Sequence, residues 1–482
     1  VIFVGSSDPR IGAGPSGTDT HLDTNSGILT RLTWNGSNWE HLDLVRGLPR
    51  SEENHSINGL QLDESANTLY AAIGGFTNLG APSNNFALVP EYALAAAILS
   101  IDLDAIGEST YDLPTLDDED RGGVGQPPEN DPFGGNNGKN QAILVPEGPV
   151  QVFSPGWRNI YDVLLTETGR FYTVDNGANG GWGDVPEFEG PGGACTNAVR
   201  EPGFFTPDNL HFITEPGYYG GHPNPTRAST ANTFNASNPQ SPVPSGNPIE
   251  CDFRMPGEED GSLATFIPST NGLAEYGATT FDGQMRGDLL MAAFSNEIFR
   301  VKLNGAGDTA VLVETLFSSV GVIPLDVTAQ DDGGAYPGTI WVADYIGGDI
   351  VVYEPDSAPG PVCIGAYDPG LDEDGDGYDN ADEIDNGTNP CNGADVPPDT
   401  DGDFVSDLND PDDDNDGQPD TSDPFSVDPD NGTTTNLPAL FSWDNGAPPV
   451  GGLLGLGFTG LMTNGNDDYA DLFDPGNMAA GG

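Results

Sequence analysis

The chain has 482 residues, with 14 basic against 76 acidic side chains and a net charge of −62, which excludes nucleic acid and anionic membranes as partners by repulsion. Glycine (67) and proline (42) are abundant and charged residues make up only 19%, which excludes a mainly helical protein and points to many short strands joined by turns. No apolar run is long enough for a membrane span, and Val1 in first place reads as the start of a processed, exported chain.

The first predicted element is an apolar strand at residues 1–4 with no partner before it. A hairpin follows: strand 27–34, an Asn35-Gly36 turn, then strand 39–45. The same strand–turn–strand form returns at 59–62, 68–73 and 97–103, at 161–165 and 169–175, at 288–294 and 297–303, and at 339–344 and 349–353. Recurrence at roughly 50–60 residues predicts an all-β fold, a β-propeller of about six blades over residues 1–355. The lone first strand would complete the last blade. A pair of β-sandwiches is the alternative. Two excursions rich in Pro, Gly, Asn and Asp, 104–150 and 176–262, are expected as insertions on the propeller faces.

Residues 356–370 read as a linker, and 371–430 change character completely. With Asp372 as position one, Asp374, Asp376, Gly377, Tyr378 and Glu383 fall at positions 3, 5, 6, 7 and 12 of an EF-hand-type loop. Hard carboxylate oxygens suit a hard cation, the glycine permits a sharp turn, and the last carboxylate closes the site bidentately. Asp399, Asp401, Asp403, Asp407 and Asp410 repeat the spacing, with Phe404 where glycine is expected. Asp412, Asp414, Asp416, Asp420 and Asp423 repeat it again, with Gly417 in place. Two carboxylates about 5 Å apart repel by roughly 3 kcal/mol at an effective dielectric near 20. Several in one loop therefore need a cation to compact, which argues for calcium rather than for a solvated acidic tail. The loops resemble thrombospondin type 3 repeats of bacterial surface proteins. Beyond Lys302 the chain has no basic residue, so bound cations alone can neutralise this part.

Four cysteines allow three pairings. Cys195 and Cys251 bracket one excursion, and Cys363 and Cys391 bracket the first acidic loop, so nearest-neighbour pairing would staple each. Disulfides together with calcium loops predict an extracellular or cell-surface location. The last segment, 431–482, is apolar and glycine-rich, too short for a domain. It reads as a β tail that docks in cis, pairs with another chain or belongs to a truncated domain.

Three stretches of the propeller region, Gly47-Leu48-Pro49 to His55, Gly156-Trp157-Arg158-Asn159-Ile160-Tyr161-Asp162, and Asn271-Gly272-Leu273 to Leu303, resemble the glucose/sorbosone dehydrogenase family of soluble PQQ (pyrroloquinoline quinone) sugar dehydrogenases. The resemblance implies His55 as the base that takes a hydroxyl proton, Arg158 as the partner of a cofactor carboxylate or of the reacting oxygen, and Asn159 beside it in the cofactor segment. The family supplies further cations from later blades. Here the matching segment, Val320-Gly321-Val322-Ile323-Pro324-Leu325-Asp326-Val327, has none. The expectation is therefore a non-catalytic, calcium-stabilised structural or adhesive surface protein that self-associates head to tail through its C-terminal tail. PQQ-dependent oxidation of a sugar or alcohol is the alternative. Binding of a glycan or protein by a cleft near Trp182 and Tyr218 is a further one.

Overall fold

The computed structural model describes residues 1–9, 23–115, 140–229, 243–258, 261–281, 283–355, 370–372, 374–423 and 425–429. The chain divides into two compact units, 1–359 and 360–482. The linker at 356–369, Cys363 and the tail 431–482 lie outside the described residues, and no helix among the described residues is long and apolar enough to cross a membrane.

Among the described residues the first unit is a β-propeller with five sheets, where about six were expected. Blade 1 contains β1 (Ile2–Ser6), β2 (Gly27–Trp34), β3 (Trp39–Leu48) and a short parallel β7 (Tyr111–Asp112). Blade 2 contains β4 (Ile57–Asp63), β5 (Thr68–Ile73), β6 (Ala97–Asp102) and β8 (Val150–Pro155). Blade 3 contains β9 (Ile160–Leu165), β10 (Phe171–Asp175), β11 (Asp208–Ile213) and β12 (Ser262–Phe266). Blade 4 contains β13 (Thr270–Tyr276), β14 (Asp288–Ala293), β15 (Glu297–Leu303) and β16 (Ala310–Ser318). Blade 5 contains β17 (Pro324–Ala329), β18 (Ile340–Asp344) and β19 (Asp349–Tyr353).

Two sequence expectations are corrected here. The excursions are not pure insertions: they carry β7, the start of β8, and β11, so they lengthen blades instead of making room for another one. The first strand does not complete the last blade. It pairs antiparallel with β2, Ile2 opposite Leu32 and Val4 opposite Thr30, and so belongs to blade 1. The hairpin at Asn35-Gly36 forms as expected. Asn35 Oδ1 accepts from the amides of Ser37 and Asn38 at 3.0 and 2.9 Å, and Gly36 takes φ +98°.

The core lies between blades. Leu29, Leu44, Val45 and Leu48 of blade 1 pack on Ile57, Leu69, Ala71 and Leu99 of blade 2. Ala72 and Ile98, on the other side of blade 2, meet Ile160, Val163 and Phe171 of blade 3. In β14, Leu289 and Met291 face blade 3, while Leu290 and Ala292 face blade 5. Burial on both sides explains why this strand reads as one continuous apolar run, without the alternation of a half-exposed strand.

Adjacent inner strands approach so closely that only glycine fits. A Cβ on Gly59 of β4 would lie 2.4 Å from Asp162 Oδ1 of β9, and one on Gly272 of β13 would lie 2.5 Å from Cα of Asp326 in β17. Asp162 also accepts from the amide of Leu273 at 3.0 Å, tying β9 to β13. Burial, then the nearby Asp326 carboxylate, push the Asp162 carboxyl up to about 8.

This raised acid sets a pH dependence. The folded protein keeps the Asp162 proton while the unfolded chain releases it near pH 4, so its contribution to stability is full below about pH 4 and is lost as pH rises to about 8. Asp162→Asn should flatten the fall in Tm between pH 4 and 8 relative to the parent, measured by thermal melts at constant calcium. An unchanged slope would assign the pH dependence to other groups.

Candidate functional site

Two places gather chemistry: the propeller face where the connections after β5 and β10 meet, and the acidic loops of the second unit.

On the propeller face, the structure brings His55, Arg158 and Asn159 together. A Cβ on Gly74 would lie 2.6 Å from both His55 Cβ and Asn159 Oδ1, and the Gly75 amide donates to the Arg158 carbonyl at 2.6 Å. His55 is buried, its Nδ1 sits 2.8 Å from the Gly75 carbonyl, and burial, then the Arg158 charge, push its pKa well down, so the ring is neutral. The Arg158 guanidinium is buried too, with Nε 3.3 Å from Asn78 Oδ1 and Nη1 3.4 Å from the Asn176 carbonyl. Asp175 fixes this corner by accepting from the amides of Arg158 and Asn159 at 3.0 and 2.7 Å.

The chain itself covers these residues. From Gly74 to Ala96 the connection between β5 and β6 is buried almost throughout, and Phe76, Ala87, Val89, Tyr92 and Ala95 form a small core of their own. The Phe86 ring lies 5.3 Å from the His55 ring, and Trp182 backs it at 6.1 Å. Glu91 accepts from the amides of Phe76 and Thr77 and from His222 Nε2, all within 3.0 Å. Arg227, in α2 (Pro225–Ala228), donates to the carbonyls of Ala93, Ala95 and Ala96 and pairs with buried Glu250 at 2.8 Å. The neighbouring residue closes the Cys195–Cys251 disulfide, the pairing that nearest-neighbour reasoning favours.

What remains is a cavity of about 30 Å³ lined by Arg158, Asp175, Asn176, His211, His222 and Arg254, among others. That is room for about two waters. A tricarboxylate quinone does not fit: the volume is far too small, and the Arg158 guanidinium is already held by Asn78 and Asn176. Tyr218 and Trp182 do not form an open cleft either. Tyr218 stacks on Trp157 at 5.9 Å with its hydroxyl 2.9 Å from His211 Nδ1, and Trp182 packs on Phe86. The cover was not expected from sequence. Its one signal is composition: residues 74–97 hold a single charged side chain, Glu91, in a protein with a large excess of acid.

In the second unit the three triads Asp372/Asp374/Asp376, Asp399/Asp401/Asp403 and Asp412/Asp414/Asp416 each converge, with one carboxylate oxygen per residue lying within 4.8 Å of the others. The same hydrogen bonds recur three times. The first aspartate accepts from the amide at position six: Gly377 at 3.0 Å, Phe404 at 3.1 Å and Gly417 at 3.0 Å. The third accepts from the fifth and the fifth from the seventh. The third and fifth aspartates thus commit one oxygen to the loop backbone, whereas Asp372 and Asp399 commit both, to Gly375 and Gly377 and to Gly402 and Phe404. The inward oxygens Asp374 Oδ2, Asp376 Oδ2, Asp401 Oδ2, Asp412 Oδ1 and Asp414 Oδ2 are buried with no hydrogen-bond partner.

In two of the loops the position-twelve carboxylate is buried. Glu383, in α3 (Asn380–Asn386), is 0% exposed with both oxygens unpartnered, and burial with Asp374, Asp376 and Asp372 pushes it up to about 7. Asp423 is 8% exposed with Oδ2 unpartnered. In the middle loop Asp410 accepts from the Asp412 amide at 3.0 Å. Asp407 and Asp420 do not join the triads: they hold the amides of Thr400 and Asp413 at 2.7 and 3.0 Å, fixing the second loop position. Position six requires a positive φ in every loop, +112° at Gly377, +73° at Phe404 and +93° at Gly417, so Phe404 takes a glycine conformation. Its ring lies 5.7 Å from that of Tyr378, whose hydroxyl donates to Asp399 at 2.8 Å. Asp382, unmarked by sequence, links loops one and two by accepting from the Ser406 amide at 2.8 Å.

No protein-family model matches the chain, and no curated protein matches it in sequence. Among solved structures it is similar to a glucose dehydrogenase, at 19% identity over 74% of this chain and 78% of that one, with a TM-score of 0.40. It is also similar to the apo-form of the soluble aldose sugar dehydrogenase from Escherichia coli, at 16% identity over 70% and 74%, TM-score 0.38. The PQQ-bound aldose sugar dehydrogenase from Streptomyces coelicolor matches at 15% over 68% and 70%, TM-score 0.33.

The clamp on the cover is testable. Arg227→Met leaves Glu250 buried without its counter-charge and should cost about 3–5 kcal/mol in urea unfolding of the propeller. Adding Glu250→Leu should recover most of that loss. If the double variant is no better than the single one, the pair is not what holds the cover.

Proposed function

We propose that the protein is an exported calcium-binding propeller protein with a structural or adhesive role, in which the propeller is a rigid body and not a catalyst. The observation that carries this reading is the set of buried carboxylate oxygens without partners, above all both oxygens of Glu383. A buried, unpaired carboxylate is strongly unfavourable, and a bound divalent cation removes the penalty at once. Oxygen-only donors arranged at positions 1, 3, 5 and 12 favour calcium over zinc or copper. The Cys195–Cys251 disulfide supports an oxidising, extracellular setting. The closed propeller face supports the non-catalytic part.

A second reading is oxidation of a sugar or alcohol with PQQ. The convergence of His55, Arg158 and Asn159 favours it, and it requires the 74–96 segment to leave the face. Reconstitution with PQQ and calcium, followed by dye reduction with aldoses and simple alcohols, decides between the two: turnover lost in His55→Ala establishes the second.

For the main reading, calcium titration of the chelator-treated full chain by calorimetry should show saturable binding at more than one site, with a smaller hydrodynamic radius when loaded. Glu383→Gln should weaken one site by at least the ~10-fold that even an outer-shell partner is worth, leaving the rest. No binding heat at millimolar calcium, with an unchanged radius, would sink the proposal.

A further inference from the structure

The first and third acidic loops differ at position twelve. In the first loop that residue is Glu383 of α3, fully buried, with neither Oε1 nor Oε2 partnered. Asp374 Oδ2 and Asp376 Oδ2 are buried and unpartnered in the same loop. The first loop thus offers four uncommitted carboxylate oxygens, two of them on one side chain. In the third loop position twelve is Asp423, one methylene shorter and also buried. Its Oδ1 accepts from the Phe425 amide at 2.8 Å, and its Oδ2 is unpartnered. Asp412 Oδ1 and Asp414 Oδ2 are unpartnered as well, while Asp416 gives one oxygen to the Gln418 amide at 2.7 Å and the other to Gln418 Nε2 at 3.4 Å. The third loop thus offers three uncommitted oxygens, each on a different side chain.

We propose that the two loops select different cations: the first is specific for calcium, and the third accepts magnesium in competition with calcium. The inference rests on the calcium reading given above and adds which ions each loop tolerates. The two oxygens of one carboxylate lie close together, so a cation that takes both sees them at far less than the right angle of an octahedron. Calcium accommodates this, because it takes about six to eight oxygens in flexible geometry, whereas magnesium demands a near-ideal octahedron with shorter bonds. Burial makes the choice strict at Glu383. A cation that used one of its oxygens would leave the other buried and unmet, which is costly. Magnesium in the first loop therefore either distorts its shell or strands an oxygen. The third loop sets no such condition. Asp423 has one oxygen to give, and its other is already met by the Phe425 amide. Three oxygens on three side chains impose no narrow bite, and the remaining positions suit the waters that magnesium keeps.

The test uses the full chain, treated with chelator, with Asp401→Asn carried throughout to silence the middle loop. Asp414→Asn then reports on the first loop and Asp374→Asn on the third. Asparagine can keep the oxygen that accepts the loop amide at both positions, so the turns hold their shape. Calcium is titrated by calorimetry with and without magnesium. In about 10 mM magnesium the calcium affinity of the third loop should fall about 10-fold and that of the first by less than about 2-fold, as for a competitor of about millimolar affinity at one loop only. Magnesium alone should give binding heat in the Asp374→Asn chain and none in the Asp414→Asn chain. Glu383→Asp, added to the Asp414→Asn chain, should weaken calcium at the first loop and make that loop sensitive to magnesium. Equal loss at both loops, loss confined to the first, no magnesium effect at either, or a Glu383→Asp loop still indifferent to magnesium would overturn the proposal while leaving calcium binding intact. A parent chain that binds no calcium overturns the reading on which the proposal rests, and the proposal with it.

Discussion

The propeller depends on how closely consecutive inner strands can approach. Gly59 against Asp162 and Gly272 against Asp326 are contacts in which one side has no Cβ and the other has a carboxylate turned onto backbone amides. This distance lets the alternate apolar side chains of neighbouring blades interlock, and the buried strands β5 and β14 follow from it. The same closeness strips water from Asp162, which is why a carboxyl in a stability-determining place keeps its proton. Compactness around the inner strands and an unfavourable charge there are one fact seen from two sides.

The closed face is a second consequence of packing. The 74–96 segment has no regular hydrogen-bond ladder of its own, so its polar backbone groups must be met by side chains. Arg227 meets three carbonyls, and Glu91 meets two amides. Both charges are buried, and each is held by an opposite or hydrogen-bonding partner, Glu250 and His222. A cover pinned by such groups is specific as well as stable, because any other arrangement leaves a charge alone. His55, Arg158 and Asn159 thus keep a converging geometry while the space before them is filled by Phe86 and its neighbours.

Much of this was legible in the sequence, for reasons that differ by region. The convergence of the acidic triads was legible, because carboxylates at fixed spacing fold into one turn and the structure repeats one hydrogen-bond pattern three times. Phe404 departs from the pattern yet takes the backbone of the glycine it replaces. Strand positions were legible from turn chemistry such as Asn35-Gly36. The blade number was not, because β8, β11 and β12 follow long stretches rich in Pro, Gly, Asn and Asp and carry no hairpin signal of their own. The cover was not legible either: side chains from three distant segments make it, and no local period records such a contact.

Charge links the two units. In the propeller, acids that are buried are few and individually met: Asp175 by the amides of Arg158 and Asn159, Asp208 by the amides of Gly177 and Thr270, Glu250 by Arg227. In the loops, acids are drawn together with no basic side chain anywhere after Lys302. A like-charged cluster that holds unpartnered buried oxygens, as at Asp374, Asp376 and Glu383, is costly wherever no opposite charge lies near, and it is there that an oxygen-seeking cation would gain most.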